Sequence, residues 1–212
     1  MKREKWLIML VVLIVLLAGC GRGTRPAGGE EDLKPVIYLY PEEETEVTVK
    51  LEYTGTLTVT YPTYRDGWHV LAGPDGTLTD MKDGKEYSYL FWEGTDDTEY
   101  DFSQGFCVPG EETAAFLQEH LSRMGLEPRE YNEMIVYWLP QMQDNAYNLI
   151  SFQKEAYTQK AGLAITPEPD SVLRVFMAYK ALDEPVTVSP QTIEPFERTG
   201  FCVVEWGGAQ VQ

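Results

Sequence analysis

The chain has 212 residues, with 17 Lys and Arg against 34 Asp and Glu, for a net charge of −17. Such an acidic surface opposes nucleic acid and anionic lipid, whose binding needs basic patches. Aromatic residues make up 12% and include 13 tyrosines. That content suits a β-rich fold, through either core packing or contact with a sugar or peptide.

Lys2, Arg3 and Lys5 form a positive start, and Trp6 to Gly19 follow as fourteen residues without a charge. A spanning helix needs roughly 20 apolar residues, so this run matches the shorter apolar region of a secretory signal. It ends in Leu17-Ala18-Gly19-Cys20, which resembles the bacterial lipobox. The resemblance implies removal of residues 1–19 and diacylation of Cys20, with the membrane as a partner reached through fatty acyl chains. Two acyl chains give stable anchoring where one is marginal. Residues 20–33 are poor in apolar side chains and rich in glycine, so they are expected to be a flexible tether. Without residues 1–19 the balance becomes 14 basic against 33 acidic residues, a net −19. The expected location is the extracytoplasmic side of a cell membrane or outer membrane.

Beyond the tether, residues 34–208 are expected to form one globular unit. Val47, Val49, Leu51 and Tyr53 alternate with Glu46, Thr48, Lys50 and Glu52, and Leu57, Val59 and Tyr61 continue the period of two. Asp-Gly pairs at 66–67, 75–76 and 83–84 punctuate strand-like runs, a leading hairpin signal. Residues 35–104 therefore read as an antiparallel meander or small sandwich. Glu111 and Glu112 then favour a helix start. Ala114, Leu117, Leu121 and Met124 make its stripe, and Gly125 its stop. Pro128 opens a second helix whose buried face reads Tyr131, Met134, Ile135 and Trp138, and Pro140 is expected to end it. Strands are predicted again at 147–152, 171–181, 185–188 and 200–206. The fold class is α+β: strands, a two-helix insertion, further strands. A β-rich lobe (35–104) and a helix-strand lobe (105–208) are expected within one monomeric unit.

Three segments, Lys34-Pro-Val-Ile-Tyr-Leu-Tyr-Pro41, Tyr89-Leu-Phe-Trp-Glu-Gly94 and Trp138-Leu-Pro-Gln-Met-Gln-Asp-Asn145, together resemble an uncharacterised bacterial family of exported, often lipid-anchored proteins. Val203-Val-Glu-Trp-Gly-Gly208 is similar to that family's end. The resemblance implies a shared fold and an extracytoplasmic setting; it supplies no activity and no catalytic residues.

Chemistry-bearing residues are sparse. His69 and His120 are the two histidines, with no His-Glu-x-x-His or Cys-x-x-Cys spacing for zinc and no Gly-x-Ser-x-Gly elbow. A Cys107–His120 thiol pair has no supporting context. Cys107 and Cys202 share the tetrapeptide Gly-Phe-Cys-Val. An exported protein can join two such residues in a disulfide, while each alone also suits a small buried hydrophobe; both readings stay open. Glu93, Asp101 and Glu205 each adjoin aromatic residues, the surroundings in which paired carboxylates hydrolyse glycosidic bonds. The acidic run from Glu93 to Asp101 offers oxygen ligands but lacks EF-hand spacing, so no metal or cofactor is expected. Arg174 and Glu205 are charges inside apolar runs and, once covered, each needs an opposite partner, for which the other is a candidate. The densest group of amides beside aromatics is Trp138, Asp144, Asn145, Tyr147 and Asn148, a candidate surface for a glycan or peptide ligand.

The expectation is thus a lipid-anchored extracytoplasmic protein, a non-catalytic binding or envelope-associated module. Its alternatives are a glycan-directed hydrolase using Glu93, Asp101 or Glu205, and a purely structural lipoprotein.

Overall fold

The computed structural model describes residues 30–211, with side chains from Lys34 onward. The signal segment, Cys20 and residues 21–29 of the expected tether lie outside the described residues. Thirteen strands are described: β1 Glu30–Tyr40, β2 Thr45–Tyr53, β3 Thr56–Tyr61, β4 Trp68–Ala72, β5 Leu78–Asp80, β6 Glu86–Tyr87, β7 Leu90–Asp96, β8 Gln104–Pro109, β9 Tyr147–Gln153, β10 Ala161–Thr166, β11 Ser171–Leu182, β12 Ser189–Pro190 and β13 Cys202–Gln210. The helices are α1 Thr113–Arg123, α2 Pro128–Met142 and the short α3 Glu155–Thr158. None of these helices is long and apolar enough to cross a membrane. The fold is α+β.

Eight strands form one sheet in the order β12-β8-β9-β11-β13-β1-β7-β3, and five form a second, β10-β2-β4-β5-β6. Pairing is antiparallel except at β11–β13 and β12–β8. The large sheet is a middle layer with both faces covered, and its strands carry apolar residues at successive positions for that reason. Along β1, Ile37 and Leu39 pack with Val47, Val49, Trp68 and Val70 of the small sheet. Val36 and Tyr38 point the other way, into a core with Leu117, Leu121, Met134 and Trp138 of the helices.

The helices obey local rules. Thr113, Leu117 and Leu121 are the buried stripe of α1. Gly125 takes φ +102° after it, while its N–H bonds Ser122 and that of Leu126 bonds Leu121, a Schellman closure. At the start of α2, Glu130 accepts the Glu127 backbone N–H at 2.8 Å, and Pro128 fills the first turn.

Three expectations need correction, and one resolves between its two alternatives. Residues 30–33, assigned to the tether, belong to β1 and pair with β7 and β13. Of the two readings of the first half, the small sandwich is the one the fold shows, its strands being divided between two packed sheets. β10 and β4 occupy both edges of β2, so β3 leaves for the large sheet and pairs with β7. In the large sheet the first-half strands β1, β7 and β3 lie together at one end and the second-half strands β12, β8, β9, β11 and β13 at the other, while β10 of the second half joins the small sheet. Pro140 lies inside α2 rather than ending it. It removes one N–H two residues before the helix end, opposite Val136 on the solvent side. Residues 185–188 are not a strand; the short β12 follows them.

Candidate functional site

The candidate ligand surface comes apart in three dimensions. Trp138 and Asn148 are completely buried. Trp138 packs edge-on to Tyr179 at 5.8 Å between centroids. Asn148 donates to Thr113 Oγ1 at 3.0 Å and to the Met142 carbonyl at 2.9 Å, tying the ends of α1 and α2 to β9. Asp144 is exposed and Tyr147 half-buried. The Asn145 amide donates to Gln141 O and to Asn148 Oδ1. Amide density here reflects a capped helix end, and the five residues form no common surface.

The three candidate carboxylates are also dispersed. Glu205 is 1% exposed and faces the small sheet, where Arg174 Nε donates to its Oε2 at 2.5 Å and Trp92 Nε1 to its Oε1 at 3.4 Å. The expected pairing of Arg174 with Glu205 is therefore present. Glu93 is half-buried and, being one residue on from Trp92, points to the opposite face of β7. Asp101 is exposed and accepts both the N–H and hydroxyl of Ser103. These bonds, the backbone one foremost, hold its carboxyl below the usual carboxylate range. The arrangement supplies no two of these acids facing a shared space.

Cys107 and Cys202 are free thiols, which corrects the disulfide reading. Their strands are three steps apart in the sheet, or about 14 Å at ~4.8 Å per step, well beyond bridging reach. Cys202 lies in the helix-side core, where burial pushes its thiol pKa up. Cys107 alternates with the helix-side residues Phe106 and Val108 and so points away from His120, which stacks on Phe116. Among the described residues, no group of three or more His, Cys, Asp or Glu side chains is placed to hold a metal ion.

Three clefts deserve comparison. One of about 320 Å³ is lined by Asp101, Ser103, Ser151, Gln153 and Gln191. Its amides are engaged internally: buried Gln153 bridges Asp101 and Ser151, and half-buried Gln191 pairs with the Phe152 backbone. A second, about 390 Å³, contains Tyr40, Arg129, Arg198 and Cys202. There Arg198 is committed to Glu130 and the Gly125 carbonyl.

The third cleft, about 520 Å³, is different in kind: Lys34, Tyr89, Asn132, Glu133, Val136 and Tyr137 line it. Helix α2 presents Asn132, Glu133, Val136 and Tyr137 at the i, i+1, i+4, i+5 spacing that shares one side of a helix. Lys34 arrives from β1 by a backbone irregularity. One extra residue is accommodated between Leu33 and Val36 against β13, and between Asp32 and Val36 against β7. Within that bulge Lys34 takes φ +54°, the only positive φ of a non-glycine residue among those described. The left-handed region costs a non-glycine residue roughly 1–2 kcal/mol. The bulge aims the ammonium over the Tyr137 ring, 5.1 Å from its centroid, and 5.8 Å from that of Trp206.

Glu133 Oε2 accepts a hydrogen bond from buried Tyr38 at 2.9 Å. Burial, then the Glu133 charge, raises the pKa of Tyr38 and, to a lesser degree, of Tyr89. Both phenols therefore stay protonated as donors at neutral pH. Tyr89 packs edge-on against Tyr38 at 5.4 Å. Sequence reasoning missed this cleft, although Lys34, Tyr89 and the flank of α2 all lie in or beside the segments singled out for resemblance.

No family model matches the chain, and no solved structure matches it. An "Uncharacterized protein in bglA 3'region" of Butyrivibrio fibrisolvens is 44% identical over 90 residues, covering 41% of this chain and 91% of that protein.

Proposed function

This chain belongs to the same family as the uncharacterized Butyrivibrio fibrisolvens protein, and we propose that it is a lipid-anchored, extracytoplasmic, non-catalytic binding protein whose ligand surface is the Lys34–Tyr89–Tyr137 cleft. The observation that carries the binding reading is the bulge. A lysine held in a left-handed conformation within a paired strand is retained only where its surroundings impose it, and such strain concentrates at functional sites. Bulges likewise re-aim side chains beside active and binding sites. Here the result is an ammonium, a carboxylate, an amide and two tyrosine rings converging on one open concavity, the mixture that binding sites use. The dispersed Glu93, Asp101 and Glu205 favour binding over hydrolysis.

Anchoring rests on the lipobox resemblance at Leu17–Cys20. The wild type should fractionate with membranes and carry acyl mass on Cys20, and Cys20→Ser should release it or leave it unprocessed. Soluble, unacylated wild-type protein would overturn the anchor. For the ligand surface, full-length protein in detergent is screened on glycan and peptide arrays beside Lys34→Ala and Tyr137→Ala. Loss of the bound signal in both variants is expected, and signals unchanged in both remove this cleft.

A further inference from the structure

We infer that the cleft takes a neutral, hydroxyl-rich ligand, a stretch of uncharged glycan, an assignment that rests on the binding reading above and gives it a ligand class. Charge argues first. The cleft balances one ammonium, Lys34, against one carboxylate, Glu133, within a chain of net charge −17. An anionic ligand meets long-range repulsion from that field, and the balanced ammonium and carboxylate leave the cleft itself no net charge with which to select a cation.

Backbone availability argues second. An extended peptide is usually held by an open strand edge, but β1 has β13 on one side and β7 on the other. The cleft floor therefore offers side chains rather than a free ladder. An amphipathic helix needs a continuous apolar groove. Here the large exposed apolar side chain is Val136, 73% exposed, flanked by Asn132 and Glu133.

Side-chain chemistry argues third. A pyranose shows C–H groups on its faces and hydroxyls around its rim. The rings of Tyr89 and Tyr137 with Val136 supply apolar contact. Asn132 both donates and accepts, Glu133 accepts and Lys34 donates, which suits hydroxyls that must do both. Glu133 retains acceptor capacity beyond the bond from Tyr38.

The test uses full-length protein in detergent and isothermal titration with neutral hexose and N-acetylhexosamine oligosaccharides, uronate-bearing oligosaccharides, and soluble peptides. Saturable binding of a neutral oligosaccharide is expected, weakened about tenfold by Tyr137→Ala, equivalent to about 1.4 kcal/mol. Asn132→Ala and Val136→Asp, both at exposed positions, should weaken it too, with circular dichroism unchanged. They keep the test valid if Tyr137→Ala fails to fold. Binding of peptides or uronates alone, lost in the same variants, overturns the neutral-glycan class and leaves the cleft standing. Neutral-glycan binding indifferent to all three variants overturns the cleft itself. No binding by any neutral oligosaccharide overturns the ligand class.

Discussion

Arg174 and Glu205 stand opposite one another in register across the parallel strands β11 and β13, with 13% and 1% of their side chains exposed. The guanidinium also donates to the Ala161 carbonyl and lies 4.8 Å from the centroid of the Tyr157 ring. Every partner of this charge pair is thus a strand or ring that meets it at the interface between the two sheets. Removing one member leaves the other charge uncompensated. Glu205→Gln or Arg174→Met should cost about 3–5 kcal/mol, and Arg174→Met with Glu205→Leu distinctly less. Urea unfolding measures all three, and single variants costing under about 1 kcal/mol would contradict a buried pair.

Asn148 should behave as a structural residue. Asn148→Ala deprives Thr113 and the Met142 carbonyl of their amide donor inside the core. A loss of about 1–3 kcal/mol is expected, read from the denaturation midpoint, with ligand binding at the Lys34 cleft unchanged once the protein is folded. A binding defect without a stability defect would return Asn148 to a ligand surface.

Gly207 and Gly208 make room where large groups meet β13. A Cβ on Gly208 would fall 2.5 Å from the Met177 carbonyl oxygen and 2.7 Å from the Trp138 ring. One on Gly207 would meet Pro35, inside the bulged stretch beside Lys34, at 3.0 Å. Gly208→Ala should destabilise by about 1–3 kcal/mol through overpacking. Gly207→Ala is expected to press on Pro35, disturb the aim of Lys34 and weaken cleft binding more than stability. Calorimetry and urea unfolding on the two variants separate these effects, and equal losses of both quantities would contradict the distinction.

Acid sensitivity follows from surface turns. Backbone N–H groups of Thr77, Lys85 and Ser103 hold the carboxyls of Asp75, Asp83 and Asp101 below their ordinary value of 3.8, and Lys160 does so for Asp97. A carboxyl depressed in the folded state binds its proton first in the unfolded chain. Its contribution is complete above about pH 3.8 and is lost as pH falls through the folded value. Urea midpoints should fall as pH drops below about 3.8, and Asp→Asn at 75, 83 and 101 should shallow that fall. Parallel profiles for the wild type and the triple variant would refute the assignment.

Periodicity made much of the secondary structure legible. The alternation from Val47 to Tyr53, the Leu117–Leu121 stripe closed by Gly125, and the charges inside β11 and β13 are local patterns, and the fold keeps them. Local patterns do not encode which strand lies beside which. β3 and β7 belong to the large sheet because the edges of β2 are already occupied, and Cys107 and Cys202 stay apart because two strands intervene. Trp138 and Asn148 read as a sticky surface, since a sequence shows polarity and aromaticity but not which side of a helix end is covered. Lys34 was invisible for the converse reason. A bulge is one residue too many relative to two neighbouring strands, a mismatch that exists only after β1, β7 and β13 are brought together. Local sequence determined which segments extend, which coil and where charge must be paired. Tertiary packing alone decided the sheet order, the free thiols and the concavity where Lys34 meets Tyr137, because each depends on contacts between residues far apart along the chain.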